Sequence, residues 1–489
     1  MMLGGNVIDQ DKTLQPKKHI LLVELGIDRW SREIVNSLSQ NALYEIFCTG
    51  STSPSDSHLF ANFLVRGNPH ESGLDVSEDN IKFTVDKDLY REIRCFEGAT
   101  IRMLDRIDGF RLWQRNDVSK RRNYFFREAA FWSSYLSENS IEAVVFANIP
   151  HEGFDFMIYN LCISRNIPTL IFFHTFNIDT FAFTVTESIE SVGNFEVACK
   201  LKATSKFAEP SDFKDRLKHD FMGTKVEKTT NRKNEESNIS NSELSDVSQT
   251  AIQLKNGSSF AERIVRKFLR IRTRFEYIRV NKVATLPTKF VFFPLHVEPE
   301  LAISPSGGHF EEQYEAIRFL VAKLPEGWKV IVKEHPHQAG FGPRPIGFYK
   351  KIATISNVNF VETKMNSLEI IAGSQSVATI TGSAGVEAVR LGKPSWVLGY
   401  PWYLSSPGVT RIDTNEDLTR AFENLLSGQP ITNVELEEYV SSLHDAHFYG
   451  FIPGFPDHAS QNELSEVKQS TIENVSLLIK EWLRLRFGI

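Results

Sequence analysis

Two short apolar segments in the second half of the chain end abruptly in polar or small residues, and they constrain the fold strongly. They are residues 330–336 (VIVKEHP) and residues 379–399 (TITGSAGVEAVRLGKPSWVLG). Each begins with an apolar, β-branched run that is typical of a strand buried on both faces of a parallel sheet. In open α/β sheets, ligands bind beyond the carboxyl ends of such strands. We therefore expect the residues that follow these two strands to form a binding site.

Strand and helix patterns alternate along both halves of the chain. Apolar runs predict strands at residues 19–26, 44–50, 143–148 and 169–173, and further strands follow after residue 288. Amphipathic segments between these runs predict helices. This order predicts an α/β protein with two Rossmann-like doubly wound domains that face each other across a cleft, together with a helical linker and a C-terminal helix.

Changes in composition predict the domain boundaries. Residues 225–259 are polar and poor in apolar side chains, which is typical of a disordered or variable surface insertion. Residues 51–80 are rich in Ser, Asn, Asp and Gly and predict a long loop. The predicted units are an N-terminal domain (1–200), a variable insertion followed by a basic helix (201–285), a C-terminal domain (286–430) and a C-terminal helical segment (431–489).

Net charge and cysteine usage exclude some classes of protein. A formal net charge of -6 argues against a general nucleic-acid-binding protein. The four cysteines form no CxxC pair, which favours free thiols in a reducing compartment. The N-terminal residues lack the apolar run of a signal peptide, and no window approaches the ~20 apolar residues of a membrane span. These features predict a cytoplasmic protein.

Polar residues after the strands of the second half outline an anion site. The strand in the first segment delivers Lys333, Glu334 and His335 at its end. The strand in the second segment ends at Gly382 and Ser383, and a helix begins at once, so its N-terminal N–H groups suit a phosphate. Further candidates in this half are Glu387 in that helix, and His296 and Glu298 after the preceding strand.

Three of these candidates also have a structural interpretation. Glu334 either orients the His335 imidazole or faces the other side of the sheet, since neighbouring strand residues alternate. His296 and Glu298 either line the cleft or form hydrogen bonds within their own loop. The sequence leaves both interpretations open.

A polar loop in the first half carries the candidates for a catalytic base. A strand ends at residue 148, and the loop and helix that follow contain His151, Glu152 and Asp155. Carboxylate and imidazole groups at the carboxyl end of a strand can accept a proton from an acceptor hydroxyl. The alternative is a helix cap, in which acidic side chains lie near the positive end of the helix dipole.

Three motifs of common nucleotide- and metal-binding sites are not found after any predicted strand. No D-x-D follows a strand, G-x-x-x-x-G-K-[ST] is absent, and no strand is followed by G-x-G-x-x-G. These absences argue against a metal-bridged diphosphate, a P-loop and a dinucleotide cofactor. The two α/β domains, with a positively charged edge on the second that would hold a nucleotide phosphate, favour a transferase that uses a nucleotide-activated sugar as co-substrate and needs neither metal nor cofactor. A zinc hydrolase is a weaker alternative, built on four histidines: His335, His337, His444 and His447.

Residues 260–282 predict a basic amphipathic helix. Its apolar stripe combines Phe260, Ile264, Phe268, Ile271, Phe275 and Ile278, and seven Lys and Arg residues surround this stripe. The stripe either packs between the domains, with the charges in solvent, or contacts an anionic membrane surface or a lipid-linked acceptor. The second interpretation predicts peripheral contact with the inner face of the cytoplasmic membrane.

Four segments resemble the motifs of a known family. They are FFPLHVEPE, SGGHFEEQYEAI, WKVIVKEHP and TGSAGVEAVRLGKPSWVLGYPWY, all within residues 289–403. These segments look like those of bacterial capsule and surface-polysaccharide biosynthesis proteins, which are glycosyltransferases of the two-Rossmann GT-B type. The group includes enzymes that transfer Kdo from CMP-Kdo. Its His-Pro motif is similar to that of bacterial GT-B sialyltransferases.

The resemblance implies roles for individual residues. His335 would contact the donor phosphate, and Ser383 with Gly382 would bind the same phosphate from the start of the helix. Glu387 would reach the ribose or base, although it could also be a surface partner within its helix. The partners implied are a CMP- or UDP-activated sugar donor, and a saccharide or lipid-linked saccharide acceptor.

Other functions fit the same features. A CDP-polyol phosphotransferase of teichoic-acid-like polymers would use the same His-Pro edge. A non-catalytic scaffold in a polysaccharide assembly complex would keep the fold and bind no nucleotide. The donor sugar and the choice between inversion and retention stay open at this stage.

Overall fold

The computed structural model describes most of the chain. The described residues are 16–25, 31–50, 63–65, 84–108, 118–175, 180–223, 260–280, 282–298, 300–338, 344–428, 431–452 and 461–488. The predicted loop at 51–80 lies mostly outside these residues. The predicted insertion at 225–259 lies entirely outside them.

Strands and helices alternate through both halves of the described chain, as the sequence patterns predict. The strands are β1 (Lys18–Val23), β2 (Tyr44–Gly50), β3 (Phe63–Val65), β4 (Ala143–Phe146), β5 (Thr169–His174), β6 (Ala182–Thr186), β7 (Phe290–Pro294), β8 (Lys329–Lys333), β9 (Val358–Phe360), β10 (Ser376–Thr379), β11 (Ser395–Val397), β12 (Val409–Arg411) and β13 (Phe448–Tyr449). The helices are α1 (Ser31–Ser39), α2 (Lys87–Ile93), α3 (Glu97–Asp108), α4 (Val118–Glu138), α5 (Phe154–Ser164), α6 (Glu196–Lys202), α7 (Phe213–Met222), α8 (Phe260–Arg279), α9 (Gln313–Val321), α10 (Phe348–Ala353), α11 (Ser367–Gly373), α12 (Ala384–Arg390), α13 (Asn415–Ser427), α14 (Asn433–His444) and α15 (Gln461–Phe487).

The first sheet has seven strands in the order β13-β6-β5-β4-β1-β2-β3. The chain runs outward from β1 to β3, returns to β4 beside β1, and then runs outward in the other direction. Strands β1 to β5 pair in parallel, whereas β6 is antiparallel to both β5 and β13. The point at which the strand order reverses therefore lies between β1 and β4.

The second sheet has six strands in the order β12-β11-β10-β7-β8-β9, and every pairing is parallel. The chain runs from β7 to β9 on one side and from β10 to β12 on the other. The reversal therefore lies between β7 and β10. Two sheets that each reverse in this way confirm the predicted pair of Rossmann-like doubly wound units.

Layers of helices on both faces explain why the strands are apolar throughout. In β8, Val330 and Val332 belong to one buried apolar cluster, whereas Ile331 between them belongs to a cluster on the opposite face. In β1, Leu21 and Ile20 divide between two clusters in the same way. Successive side chains point to opposite faces of a strand, so a sheet covered on both faces needs a continuous apolar run.

The C-terminal segment joins the first domain. Strand β13 pairs with β6, and α15 packs against α1 through apolar side chains of both helices. Polar contacts reinforce this packing, because Trp482 Nε1 donates to Glu187 and Lys480 Nζ donates to Ser37. The predicted segment 431–489 therefore forms a helix as expected, but its last helix completes the N-terminal unit.

Helix α8 packs on the second domain through the face opposite its apolar stripe. Thr273 is buried and its hydroxyl contacts the Arg344 carbonyl, while Glu276 accepts hydrogen bonds from the Gly347 and Lys350 backbone N–H groups. The apolar stripe, defined from here on as Ile264, Phe268, Ile271, Phe275 and Ile278, is exposed. The interpretation that this stripe packs between the domains is therefore wrong.

Charged and apolar residues join the two domains. Arg102 of α3 forms ion pairs with Glu311 and Glu312, which precede α9. Leu301, Tyr400 and Trp402 of the second half pack against the apolar cluster of the first domain. Burial raises the pKa of Glu311 to about 7, against the opposing effects of Arg102 and Ser304.

Candidate functional site

A cleft of about 620 Å³ lies at the carboxyl ends of β7, β8 and β10. It therefore occupies the position at which the strand order of the second sheet reverses, where open α/β sheets bind ligands. Its volume is in the range of small-molecule sites. The residues at its centre are His296, Lys333, His335, Ser367, Thr381, Gly382, Ser383 and Glu387.

Two basic side chains enter the cleft from the end of β8. Lys333 is largely buried, and its Nζ donates to Ser367 Oγ at 2.6 Å. The His337 backbone N–H donates to His335 Nδ1 at 3.2 Å, so a neutral His335 ring carries its hydrogen on Nε2. Both residues can donate hydrogen bonds to an anion in the cleft. Sequence reasoning placed both at this strand end, and the structure brings them together.

Glu334, between these two residues, is held by a buried network. Arg344 donates to its carboxylate through Nε at 3.1 Å and Nη2 at 2.7 Å, and the Tyr349 hydroxyl also donates to it. The carboxylate accepts the His335 backbone N–H at 2.7 Å as well. Glu334 therefore fixes the backbone that carries His335, and its carboxylate is committed to these partners. Glu334 also lines the cleft, and its direct contact with a ligand stays a prediction.

His296 lines the cleft from the end of β7 and is buried. Its Nε2 accepts the Thr381 backbone N–H at 3.2 Å, so its hydrogen lies on Nδ1, for which no partner is found among the described residues. Burial, followed by the charges of His335 and Arg344, lowers the pKa of His296 to about 3. His296 is thus a neutral ring that positions the loop after β10 and retains one donor.

Glu298 does not line the cleft. Gln313 Nε2 donates to its carboxylate at 2.5 Å, and Arg344 Nη1 lies 3.3 Å from Glu298 Oε2. Gln338 exchanges two hydrogen bonds with the Glu298 backbone. The alternative of hydrogen bonding within the loop therefore holds for Glu298, and a binding role does not.

The turn between β10 and α12 forms the opposite wall of the cleft. Gly382 and Ser383 both line it, and Ser383 is exposed at the start of α12, a helix of seven residues. Glu387 lines the cleft one turn further on and is buried, so it is not a surface partner. Close packing explains the small residues here, since a Cβ on Gly382 would lie 3.0 Å from His296 Nε2.

Gly385 has a second packing role that leads to a prediction. A Cβ at this position would lie 2.2 Å from the Tyr403 hydroxyl and 2.7 Å from Ser395 Oγ. Tyr403 is fully buried, and its hydroxyl donates to the Gly382 carbonyl at 2.5 Å. We expect Gly385→Ala to displace Tyr403 and lower the free energy of unfolding by about 1–3 kcal/mol, as overpacking does.

Urea denaturation of the single and double variants tests this contact. Tyr403→Phe removes the hydroxyl that the new methyl group would meet, so the effects of Gly385→Ala and Tyr403→Phe should be less than additive. Gly392→Ala is not a suitable control because its φ is +68°. Gly98→Ala is suitable, since nothing lies within 4 Å of its added Cβ. Strict additivity would contradict the proposed clash.

The loop after β4 carries the candidate base residues of the first domain. His151 Nδ1 lies 2.6 Å from the Ile149 carbonyl oxygen, and His151 Nε2 lies 3.2 Å from Glu152 Oε1. Both side chains are partly exposed. This pair stands at the carboxyl edge of the first sheet, where its strand order reverses, but it is not part of the lining of the cleft in the second domain.

Asp155 has a structural role. Its carboxylate accepts the backbone N–H groups of His151, Glu152 and Phe156 at 2.7–2.8 Å. It is almost fully buried, and this burial raises its pKa. Asp155 therefore lies in the first turn of α5, near the positive end of the helix dipole, and holds the preceding loop; a catalytic role does not fit its burial.

Sequence reasoning missed the residue that organises the site. Arg344 is fully buried and joins Glu334, Glu298 and the His296 carbonyl, which it reaches through Nη2 at 2.6 Å. No strand or helix pattern pointed to it, because it follows the segment 339–343 and precedes a proline. An arginine between prolines and glycines near a predicted site was the only available signal.

The structure gives no support to the predicted zinc alternative. Among the residues that the structure describes, no group of three or more His, Cys, Asp or Glu could hold a metal ion. His444 Nε2 pairs with Glu209 at 2.9 Å, and His447 is buried with Nδ1 2.6 Å from the Leu443 carbonyl oxygen. Both histidines lie on the first domain side, away from His335.

A sequence profile of one family matches more than half of the chain. The family is described as "Capsule polysaccharide biosynthesis protein", and the match covers residues 196–476. The chain belongs to this family. The match includes α7, α8, the whole second sheet and the cleft, which agrees with the resemblance seen in the motifs. A search of curated proteins finds no match.

Two solved structures are similar to this chain at low sequence identity. The β-Kdo 2,4 transferase of Thermosulfurimonas dismutans KpsC is 13% identical, with a TM-score of 0.27, and the match covers 62% of this chain and 87% of that chain. The UDP-GlcNAc 2-epimerase of Methanocaldococcus jannaschii is 12% identical, with a TM-score of 0.25 and coverage of 88% and 99%. The fold assignment above rests on strand order and not on these low scores.

Proposed function

We propose that this member of the capsule polysaccharide biosynthesis family is a glycosyltransferase. It would transfer a sugar from a CMP- or UDP-activated donor to a growing capsular polysaccharide or to its lipid-linked acceptor. The second domain would hold the donor nucleotide and its phosphate, and the first domain would supply the acceptor side. Family membership supports the place in capsule synthesis, and the cleft supports the chemistry.

The observation that carries this proposal is the pair of basic side chains in the cleft of the second sheet. When the bond between the anomeric carbon and the phosphate breaks, negative charge develops on the leaving phosphate. Fixed donors aimed at that charge stabilise the transition state more than the ground state. His335 Nε2 and Lys333 Nζ are such donors. Glu334 holds the backbone of His335, and Ser367 holds the side chain of Lys333.

The proton balance assigns a role to the first domain. An acceptor hydroxyl attacks the anomeric carbon, the bond to the phosphate oxygen breaks, and the phosphate keeps the electron pair. The hydroxyl proton then passes to a base. In an inverting reaction this base would be Glu152, with His151 holding it at 3.2 Å. His296 would remain neutral and would hold the Thr381 backbone at the wall of the cleft.

Metal independence is also part of the proposal. Lys333 would supply the positive charge that a divalent cation supplies to a diphosphate in metal-dependent transferases, and His335 would add a hydrogen-bond donor through Nε2. Transfer activity should therefore persist in excess EDTA. An activity that EDTA abolishes and that Mg²⁺ or Mn²⁺ restores would contradict this part of the proposal.

Product analysis tests the reaction type. The protein would be incubated with CMP-Kdo, UDP-sugars or a CDP-polyol and with capsular oligosaccharide acceptors, and the new linkage would be determined by mass spectrometry and NMR. We expect a glycosidic bond and a free nucleotide as products. A phosphodiester linkage formed from a CDP-polyol would contradict sugar transfer and indicate polyol-phosphate transfer. The absence of any product, together with the absence of nucleotide binding, would favour a scaffold.

A further inference from the structure

The apolar stripe of α8 is a continuous exposed surface. Single exposed apolar residues are common on proteins, whereas a contiguous patch marks an interaction site. Five of the thirteen exposed large apolar residues in the described part of the chain lie on this one stripe, with exposed fractions of 46–61%. Their spacing of three and four residues places them on one face over almost the whole helix. The stripe therefore requires an explanation beyond ordinary surface composition.

The packing of α8 shows which direction the stripe faces. Thr273 and Val280 are buried, the ring centroids of Tyr277 and Tyr349 lie 4.9 Å apart, and Glu276 binds the start of α10. These residues form the face opposite the stripe. Helix α8 is thus anchored on the second domain, and its apolar side points outward.

Basic residues flank the stripe on both sides. On a helical projection, Lys267, Arg270 and Arg274 lie along one edge, and Arg272 and Arg279 lie along the other; all five are exposed. Long basic side chains can extend sideways from a membrane-bound helix to reach lipid phosphates, while the apolar side chains enter the acyl boundary. The acidic residue of this part of the helix, Glu276, is turned to the protein and occupied there.

We propose that α8 docks the protein on an anionic lipid surface, with the apolar stripe inserted and the flanking Lys and Arg residues bound to lipid headgroups. None of the described helices has the length and apolar character needed to cross a bilayer. The contact would therefore be peripheral, with α8 lying in the plane of the interface. This inference does not depend on the reaction catalysed, because it rests on α8 alone.

Charge complementarity favours lipid as the partner of the apolar stripe over a second copy of α8 and over residues 224–259 of the same chain. A second copy of α8 laid against the first would bring two rows of Lys and Arg together, and like charges at close range repel. Residues 224–259 of the same chain contain five basic and five acidic residues, so they offer no net negative charge to this surface. An anionic bilayer satisfies both the apolar stripe and its basic edges.

The same anchoring face connects α8 to the donor cleft. Thr273 contacts the carbonyl of Arg344, which holds Glu334 beneath His335. Docking through α8 would therefore hold the second domain, and the cleft within it, close to the lipid surface. This position would suit an acceptor that is itself attached to lipid.

Vesicle flotation of the full-length protein tests the proposal. Vesicles of phosphatidylcholine alone would be compared with vesicles containing about 30% phosphatidylglycerol, an amount that gives a strongly anionic surface. We expect flotation with the anionic vesicles only, and weaker binding as salt screens the surface charge. Equal flotation with both vesicle types, or none with the anionic ones, would overturn the proposal.

Two variants of α8 and one matched control separate the contributions of the basic residues and of the apolar stripe to vesicle binding. Each Lys or Arg near an anionic surface strengthens binding about five-fold, so Arg270→Glu with Arg274→Glu should weaken it by at least about tenfold. Phe268→Ser with Phe275→Ser should also abolish flotation, because it removes two of the inserted rings. Leu426→Ser with Val434→Ser changes two equally exposed apolar residues elsewhere and should bind like the wild type. If both α8 variants float normally, the proposal is wrong.

A fluorescent probe distinguishes lipid from the other occupants. An environment-sensitive dye would be attached to Phe268→Cys in a Cys95→Ser background, since Cys95 is the exposed native cysteine of the described chain. We expect a solvent-exposed spectrum in buffer and a blue shift on anionic vesicles. A shielded spectrum in buffer at every protein concentration would assign the stripe to residues 224–259. Shielding that grows with protein concentration would assign it to a second copy.

Discussion

Replacing Arg344 by alanine is expected to lower the free energy of unfolding by about 3–5 kcal/mol. Arg344 is fully buried, and it is the only arginine in the described chain that pairs with both Glu334 and Glu298. Its removal would leave the Glu334 carboxylate, which is 6% exposed, without its positive partner. Burial opposes the charge of Arg344, but the two carboxylates outweigh it and raise its pKa.

Urea denaturation with a matched control checks this prediction. Arg318→Ala breaks an ion pair with Glu315 in which both partners are about half exposed, and such pairs contribute about 0–1 kcal/mol. Arg344→Lys should restore little, because a single ammonium cannot replace the two guanidinium hydrogen bonds to Glu334. If Arg344→Ala is no less stable than Arg318→Ala, the buried network does not hold the loop as described.

Replacing Glu152 by glutamine is expected to lower the turnover of sugar transfer by about 10²–10⁴-fold. The amide keeps the shape of the side chain but cannot accept the proton of the acceptor hydroxyl. The affinity for the donor nucleotide should not change, because the cleft proposed to bind the donor lies on the second domain and does not include Glu152. A fall in turnover without a fall in nucleotide affinity would identify a residue that acts on the acceptor side.

Two further variants serve as comparisons for Glu152→Gln. Glu138→Gln alters an exposed carboxylate at the end of α4 and should leave turnover unchanged. Asp155→Asn should lower stability, because its carboxylate accepts three backbone N–H groups of the loop. Near-wild-type turnover in Glu152→Gln, with unchanged nucleotide affinity, would remove Glu152 from the role of base.

The fold was predictable because both sheets are covered on each face. Strands in such sheets are apolar along their whole length, and this pattern is easily recognised in a sequence. Polar residues follow each strand, at the edge of the sheet. Lys333, His335, Gly382 and Ser383 were predicted in this way, and all four line the cleft. The return of β13 and α15 to the first domain was not predictable, because pairing between residues 448 and 183 leaves no local pattern.

The direction in which a side chain points also could not be predicted from the sequence. Glu334 and His335 are adjacent in sequence and both line the cleft, but the Glu334 carboxylate binds Arg344 and Tyr349, and only the fold places these partners beside it. The same limit applies to α8. Its stripe was visible from the spacing of apolar residues, but a stripe alone predicts burial, and the exposed outcome depends on Thr273 and Glu276 occupying the opposite face.

Nucleotide binding in the cleft of the second domain is the central claim, and a thermal-shift panel tests it most directly. The ligands would be CMP, CDP, UDP, GDP and CMP-Kdo, each with the wild type, His335→Ala and His219→Ala. His219 is an exposed histidine of α7 outside the cleft and serves as the matched control. A ligand at 100 times its dissociation constant adds about 2.7 kcal/mol to stability, which such an assay detects.

We expect one cytidine or uridine nucleotide to stabilise the wild type and His219→Ala. The same nucleotide should give a clearly smaller shift with His335→Ala, because the phosphate loses a charge-assisted hydrogen bond worth about 1.5–3 kcal/mol. Equal stabilisation of all three proteins would place the nucleotide elsewhere. The absence of a shift with every ligand would contradict the assignment of this cleft as a nucleotide-sugar site.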